Sequence, residues 1–126
     1  MTKLSIPEGH QQVMPYLIVN GAAGFLTFTQ DVFGAKEKYK AMRDAFLIMH
    51  AEITIGDCVI MFADSTEQYH PRPAGLFIYV PDADETFKKA IAEGASVIMD
   101  MADQSYGRSG GVKDPFGNSW WITSQK

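Results

Sequence analysis

Asp114-Pro115-Phe116-Gly117-Asn118-Ser119-Trp120-Trp121 is the stretch from which the rest of the chain is read. Pro115 presets φ, Gly117 accepts positive φ and Asn118 tolerates left-handed geometry, so the first five residues predict a tight reversal. Gly110-Gly111-Val112-Lys113 precedes the stretch and Ile122-Thr123-Ser124 follows it, which makes it the turn of a hairpin between the last two strands. Neighbouring residues of a strand point to opposite faces, so Trp120 and Trp121 cannot enter one core. Trp120 is assigned to a helix-covered face, and Trp121 to the other face, towards a pocket or a partner.

Working outward, the same hairpin signal occurs about 60 residues earlier, where Gly56-Asp57 separates the strand-like runs Ala45–Ile55 and Cys58–Ala63. Val19 aligns with Val80, and Gly34-Ala35 with Gly94-Ala95, at a similar offset. Upstream of the first hairpin, Val13–Val19 reads as a strand. Asn20 reads as the cap of a helix that starts at Gly21, carries Phe25, Phe28, Val32 and Phe33 and ends before Gly34. Lys36–Arg43 is a further strand with a charged outer face. Pro71 and Pro73 mark residues 65–75 as a connector. In the second half Leu76–Val80 is a strand, and Asp82 with Glu85 opens a helix that stops at Gly94. Val97–Met101 is a strand and Asp103–Gly110 a glycine-containing loop. The expected fold class is α+β. Two βαβββ modules, about 12–64 and 76–124, form one domain with a curved, mostly antiparallel sheet, helices outside and a cavity on the concave side.

Composition narrows the function classes. Eleven basic against 15 acidic residues give a net charge of −4 with no basic cluster, so nucleic acid is not an expected partner. Cys58 is the only cysteine, which excludes an internal disulfide or a cysteine zinc cage and suits a reducing cytosol. The N-terminal residues lack the apolar core of a signal peptide, and no apolar run has the length of a membrane span. A soluble, cytoplasmic protein with no membrane partner is expected.

The chain resembles the glyoxalase/bleomycin-resistance/extradiol-dioxygenase (vicinal-oxygen-chelate) superfamily, and within it the PhnB-like branch. The resemblance is carried by Pro15-Tyr16-Leu17 before Asn20-Gly21-Ala22-Ala23, by Phe33-Gly34-Ala35, by His50-Ala51-Glu52 with Ile55-Gly56-Asp57, and by Asp114-Pro115-Phe116-Gly117 with Trp120-Trp121. It implies paired βαβββ modules, commonly in a homodimer whose two chains share the cavities. It also implies four positions where metal-dependent members carry His, Gln or Glu. Here these fall on Met14, on Ile60 or Met61, on Gly75 and on Trp121. A thioether is a poor ligand for the hard or borderline ions involved, so no metal is expected at that place and no cofactor is called for.

The same substitutions leave Met14, Tyr16, Phe77, Tyr79 and Trp121 where ligands would point, an apolar, aromatic lining suited to a flat small molecule. Those side chains could equally pack the cavity shut. Tyr106-Gly107-Arg108 reads either as a cover bringing one cation to an anionic group or as a plain solvated loop. His50 and Glu52, two apart on one strand face, could do acid–base work or hydrogen-bond a polar ligand; a solvent-exposed pair is the bland reading. His10 and His70 read as solvated loop residues. The leading expectation is a metal-independent small-molecule-binding protein, with the ligand in an aromatic-lined cleft of a homodimer. The alternatives are a lyase, isomerase or dioxygenase with a displaced site at His50 and Glu52, and a structural dimer without ligand.

Overall fold

A computed structural model describes residues 2–125. The elements are β1 (Tyr16–Val19), α1 (Ala22–Phe33), β2 (Lys36–Met42), β3 (Ile48–Ile55), β4 (Cys58–Asp64), β5 (Gly75–Tyr79), α2 (Ala83–Ala92), β6 (Ser96–Gln104), β7 (Gly107–Lys113) and β8 (Ser119–Ser124). The two βαβββ modules are therefore present. Each makes its own four-stranded sheet, in the order β1-β4-β3-β2 and β5-β8-β7-β6, with only the β1–β4 and β5–β8 pairs parallel. Among the described residues no strand pair joins the two modules, so the eight strands form two four-stranded sheets.

The registers carry the repeat. Tyr16 pairs with Met61 as Phe77 pairs with Trp121, and Glu52 lies opposite Met61 as Gly111 lies opposite Trp121. One face of each sheet is buried under helix: Leu17, Val19, Phe62 and Ile53 in the first module, Trp120, Ile122 and Val112 in the second. The other faces stay open.

The stretch at 114–121 joins the halves. The Asp114 carboxylate accepts from the backbone N–H groups of Phe116 and Asn118 (both 2.9 Å), from Asn118 Nδ2 and from the Trp120 indole N–H at 2.8 Å. The turn is thereby locked to the strand it feeds. Phe116 packs edge-on against Phe25 and Phe28 of α1, over Gly24, where a Cβ would approach its ring to 3.1 Å. Trp120 packs on Phe33 with centroids 4.4 Å apart and the rings tilted by 35°. Trp120 thus takes the helix-covered face.

Several local expectations are corrected. Asn20 does not cap α1; Gly21 is the N-cap, and the buried Asp64 at the end of β4 accepts the N–H groups of Gly21 and Ala22. Its other oxygen takes the N–H of Ile48 at 2.7 Å, so one carboxylate fixes the starts of both α1 and β3. The Ser124 hydroxyl does the equivalent for Ala83 in the second module. β3 begins at Ile48 instead of Ala45 because the Asp44 side chain captures the N–H groups of Phe46 and Leu47 in a turn; those two bonds hold its carboxyl below the usual range. The expected loop at Asp103–Gly110 is mostly hairpin. Gly110 and Gly111 lie inside β7, where a Cβ would meet Met101 and Phe87, or the Trp121 ring at 2.3 Å. They serve close approach rather than turning. Among the expectations that hold, Gly34 ends α1 at φ 69° and Asp82 caps α2 by accepting from Glu85 N–H. Among the described residues, no helix is long and apolar enough to cross a membrane.

Candidate functional site

The open face of the first sheet carries a polar array. Glu52, only 7% exposed, receives the Nε2–H of His50 on one oxygen at 2.9 Å and that of His10 on the other at 2.8 Å. The His50 ring is completed by the Tyr16 hydroxyl, 3.2 Å from Nδ1, and lies beside the Tyr16 and Tyr39 rings. His50 and Glu52 do project together, as their spacing on β3 requires. His10 corrects the solvated-loop expectation. The lead-in follows the free edge of β4 beyond the start of β1, where the Gln11 side chain bonds both the N–H and the carbonyl of Val59. That carries His10 over the sheet to a residue 42 positions away, and no local pattern signals it.

Burial raises the Glu52 carboxyl, but the hydrogen bonds and charges of His50 and His10 outweigh this and the net shift is downward from 4.5. A lowered carboxyl contributes stability above its unfolded value and loses it as pH falls through the folded one. In urea unfolding, wild type is expected to exceed Glu52→Gln above the ordinary carboxylate range, with the gap closing as pH falls below it. A gap that widens on acidification would contradict this assignment.

The open face of the second sheet is aromatic. Phe77 and Tyr79 are 50% and 66% exposed and pack edge to face; Tyr106, at the β6–β7 turn, lies 6.2 Å from Phe77. Trp121, half-buried, lays its ring over Gly111. Gly111 occupies the place that Glu52 has in the first module, so one sheet position holds a carboxylate in one half and makes room for an indole in the other. Arg108 joins neither face. Its Nε and Nη2 reach the two Asp84 oxygens on α2 at 3.2 Å, with Asp103 at 3.6 Å, and this pairing lowers the Asp84 carboxyl.

The register decides between the two candidates on β4: Met61 is the counterpart of Trp121, whereas Ile60 is buried in the core. The positions that the resemblance implies for a metal thus fall on Met14, Met61, Gly75 and Trp121, which offer two thioethers, no side chain and an indole N–H donor. This donor set does not fit a divalent ion bound by nitrogen and oxygen. Among the described residues, no group of three or more His, Cys, Asp or Glu side chains is arranged to hold one.

Comparison with known proteins agrees with this architecture. Residues 10–122 match the profile of the Glyoxalase/Bleomycin resistance protein/Dioxygenase superfamily. The chain is 30% identical to the Mycobacterium bovis protein Mb0911c, over 84% of this chain and 78% of that protein. Among solved structures, the PhnB protein of Bacillus cereus superposes with a TM-score of 0.74 at 21% identity, over 90% of this chain and 99% of that one. TnmS3, an antibiotic binding protein from a Streptomyces species, superposes with a TM-score of 0.71 at 15% identity, over 93% and 100%.

Proposed function

The chain belongs to the Glyoxalase/Bleomycin resistance protein/Dioxygenase superfamily, and from that membership we propose that it is a metal-independent small-molecule-binding protein. Its ligand, apolar or aromatic, lies in a cleft completed by a second copy of the chain. The observation that carries this reading is the half-exposed aromatic set on the open face of the second sheet, with an indole where metalloenzyme relatives place a ligand. Rings of this kind offer stacking area, and their hydroxyls offer polar anchors. The antibiotic-binding role of TnmS3 on the same fold supports small-molecule binding.

The homodimer is supported by where the two open faces lie. Tyr16 and the polar array belong to one sheet, Phe77, Tyr79 and Trp121 to the other; among the described residues no strand pairing links β1 to β5, and the outer edge of β1 is touched only by Arg72 N–H on the Ile18 carbonyl. A second copy that sets its β5 beside β1 brings a polar and an aromatic face into one cleft. The test is a panel of aromatic compounds titrated against chelator-treated protein, followed by Trp121 emission. Saturable quenching is expected in wild type and is lost in Trp121→Phe; no saturable compound would end this reading.

A second reading rests on the His10–Glu52–His50–Tyr16 array, in which a buried carboxylate orients an imidazole towards a hydroxyl at the open face. Such an arrangement suits proton transfer in a lyase or isomerase. It predicts a turnover lost in both His50→Ala and Glu52→Ala; a turnover that survives both would remove it.

A further inference from the structure

Beside the polar array the first sheet has a recess of about 570 Å³, bounded by Tyr16 and Ile18 on β1, Met49 on β3, Asp64 on β4, Arg43 after β2, and Tyr69 of the connector. Its walls are apolar or aromatic except at Asp64, Arg43 and the tyrosine hydroxyls. Arg43 brings a guanidinium that makes no ion pair within 4 Å among the described residues. Tyr16 brings a hydroxyl already held by His50. We propose that this recess seats the carboxylate end of a small aromatic acid, with Arg43 as its counter-ion and the Tyr16 hydroxyl as its second hydrogen-bond partner. The inference rests on the ligand-binding reading above and names the chemical class of the ligand.

Three features choose this class. A planar guanidinium suits the two oxygens of a carboxylate, and the flanking rings of Tyr16 and Tyr69 with the Met49 thioether suit a flat apolar body. The neighbouring negative charges oppose a dianion: Asp64 lines the recess with its oxygens committed to three backbone N–H groups, and Asp44 follows Arg43 in the chain. A single charge is what one free arginine can balance there.

The Tyr16 hydroxyl has one proton to give, and it turns from His50 Nδ1 to the carboxylate when the acid is bound.

The test titrates 2-naphthoate, and its neutral counterpart 2-naphthamide, into the full-length protein at fixed ionic strength, following amide resonances. The acid is expected to shift the amides of Tyr16, Arg43 and Tyr69 saturably and to bind about tenfold or more tightly than the amide. Arg43→Gln removes that preference and Arg43→Lys keeps part of it. Tyr16→Phe weakens binding of the acid more than that of the amide. Equal binding of acid and amide at these residues would overturn the inference while leaving small-molecule binding intact. An acid preference unchanged in Arg43→Gln, or no shift at these residues with either probe, would also overturn it.

Discussion

Asp114→Ala is expected to lower the unfolding free energy by about 3–5 kcal/mol. The substitution removes the acceptor for two backbone N–H groups of the turn, for the Asn118 amide and for the Trp120 indole; Asn118 and Trp120 are almost wholly buried. A buried donor left without a partner costs its full desolvation, ~1–3 kcal/mol each. The damage does not stay in the turn, because Phe116 and Trp120 carry the packing onto Phe25, Phe28 and Phe33 of the other module. Asp114→Asn should recover less than half of the loss, since its amide turns an N–H towards groups that are themselves donors. Urea unfolding of the three proteins measures this, and a loss below about 1 kcal/mol in Asp114→Ala would contradict the role assigned to the carboxylate.

Gly111→Ala carries the second large effect, and it acts on the binding face. The added methyl would lie 2.3 Å from the Trp121 ring, so the indole must leave its seat on β7. A stability loss of about 1–3 kcal/mol is expected, with a change in Trp121 emission and at least ~10-fold weaker binding of any compound that quenches it. Coupling to Trp121 separates this from a general strand defect. In a Trp121→Ala background the same Gly111→Ala change should cost under ~0.5 kcal/mol, because the clashing group is gone. A cost unchanged by the second substitution would place the strain in the backbone instead.

What could be read in the sequence was what local chemistry decides. Gly34 ends α1, Asp82 caps α2, and Gly56 and Gly117 turn the two hairpins because few residues substitute for them there. The offset between Tyr16 and Phe77, or Val19 and Val80, follows from the repeat, and it placed Tyr16, Phe77, Tyr79 and Trp121 on open faces. The departures have tertiary causes. Asn20 is a fitting cap, yet a carboxylate from β4 reaches the helix start first. Gly110 and Gly111 look like loop residues until Met101, Phe87 and Trp121 are seen to need their space. Ala45–Leu47 has strand composition, but Asp44 gives its backbone a turn to make. His10 is the largest omission at the candidate site. Its partner Glu52 is distant in sequence, and only the path of the lead-in along β4 joins them.

Native mass spectrometry of chelator-treated protein with the tightest compound of the aromatic panel tests the central claim most directly. The expected species is a dimer of the chain that carries the compound and no metal, with compound lost in Trp121→Phe. A monomer that binds equally well, or binding that appears only after a divalent ion is added, would contradict a metal-independent cleft shared between two copies.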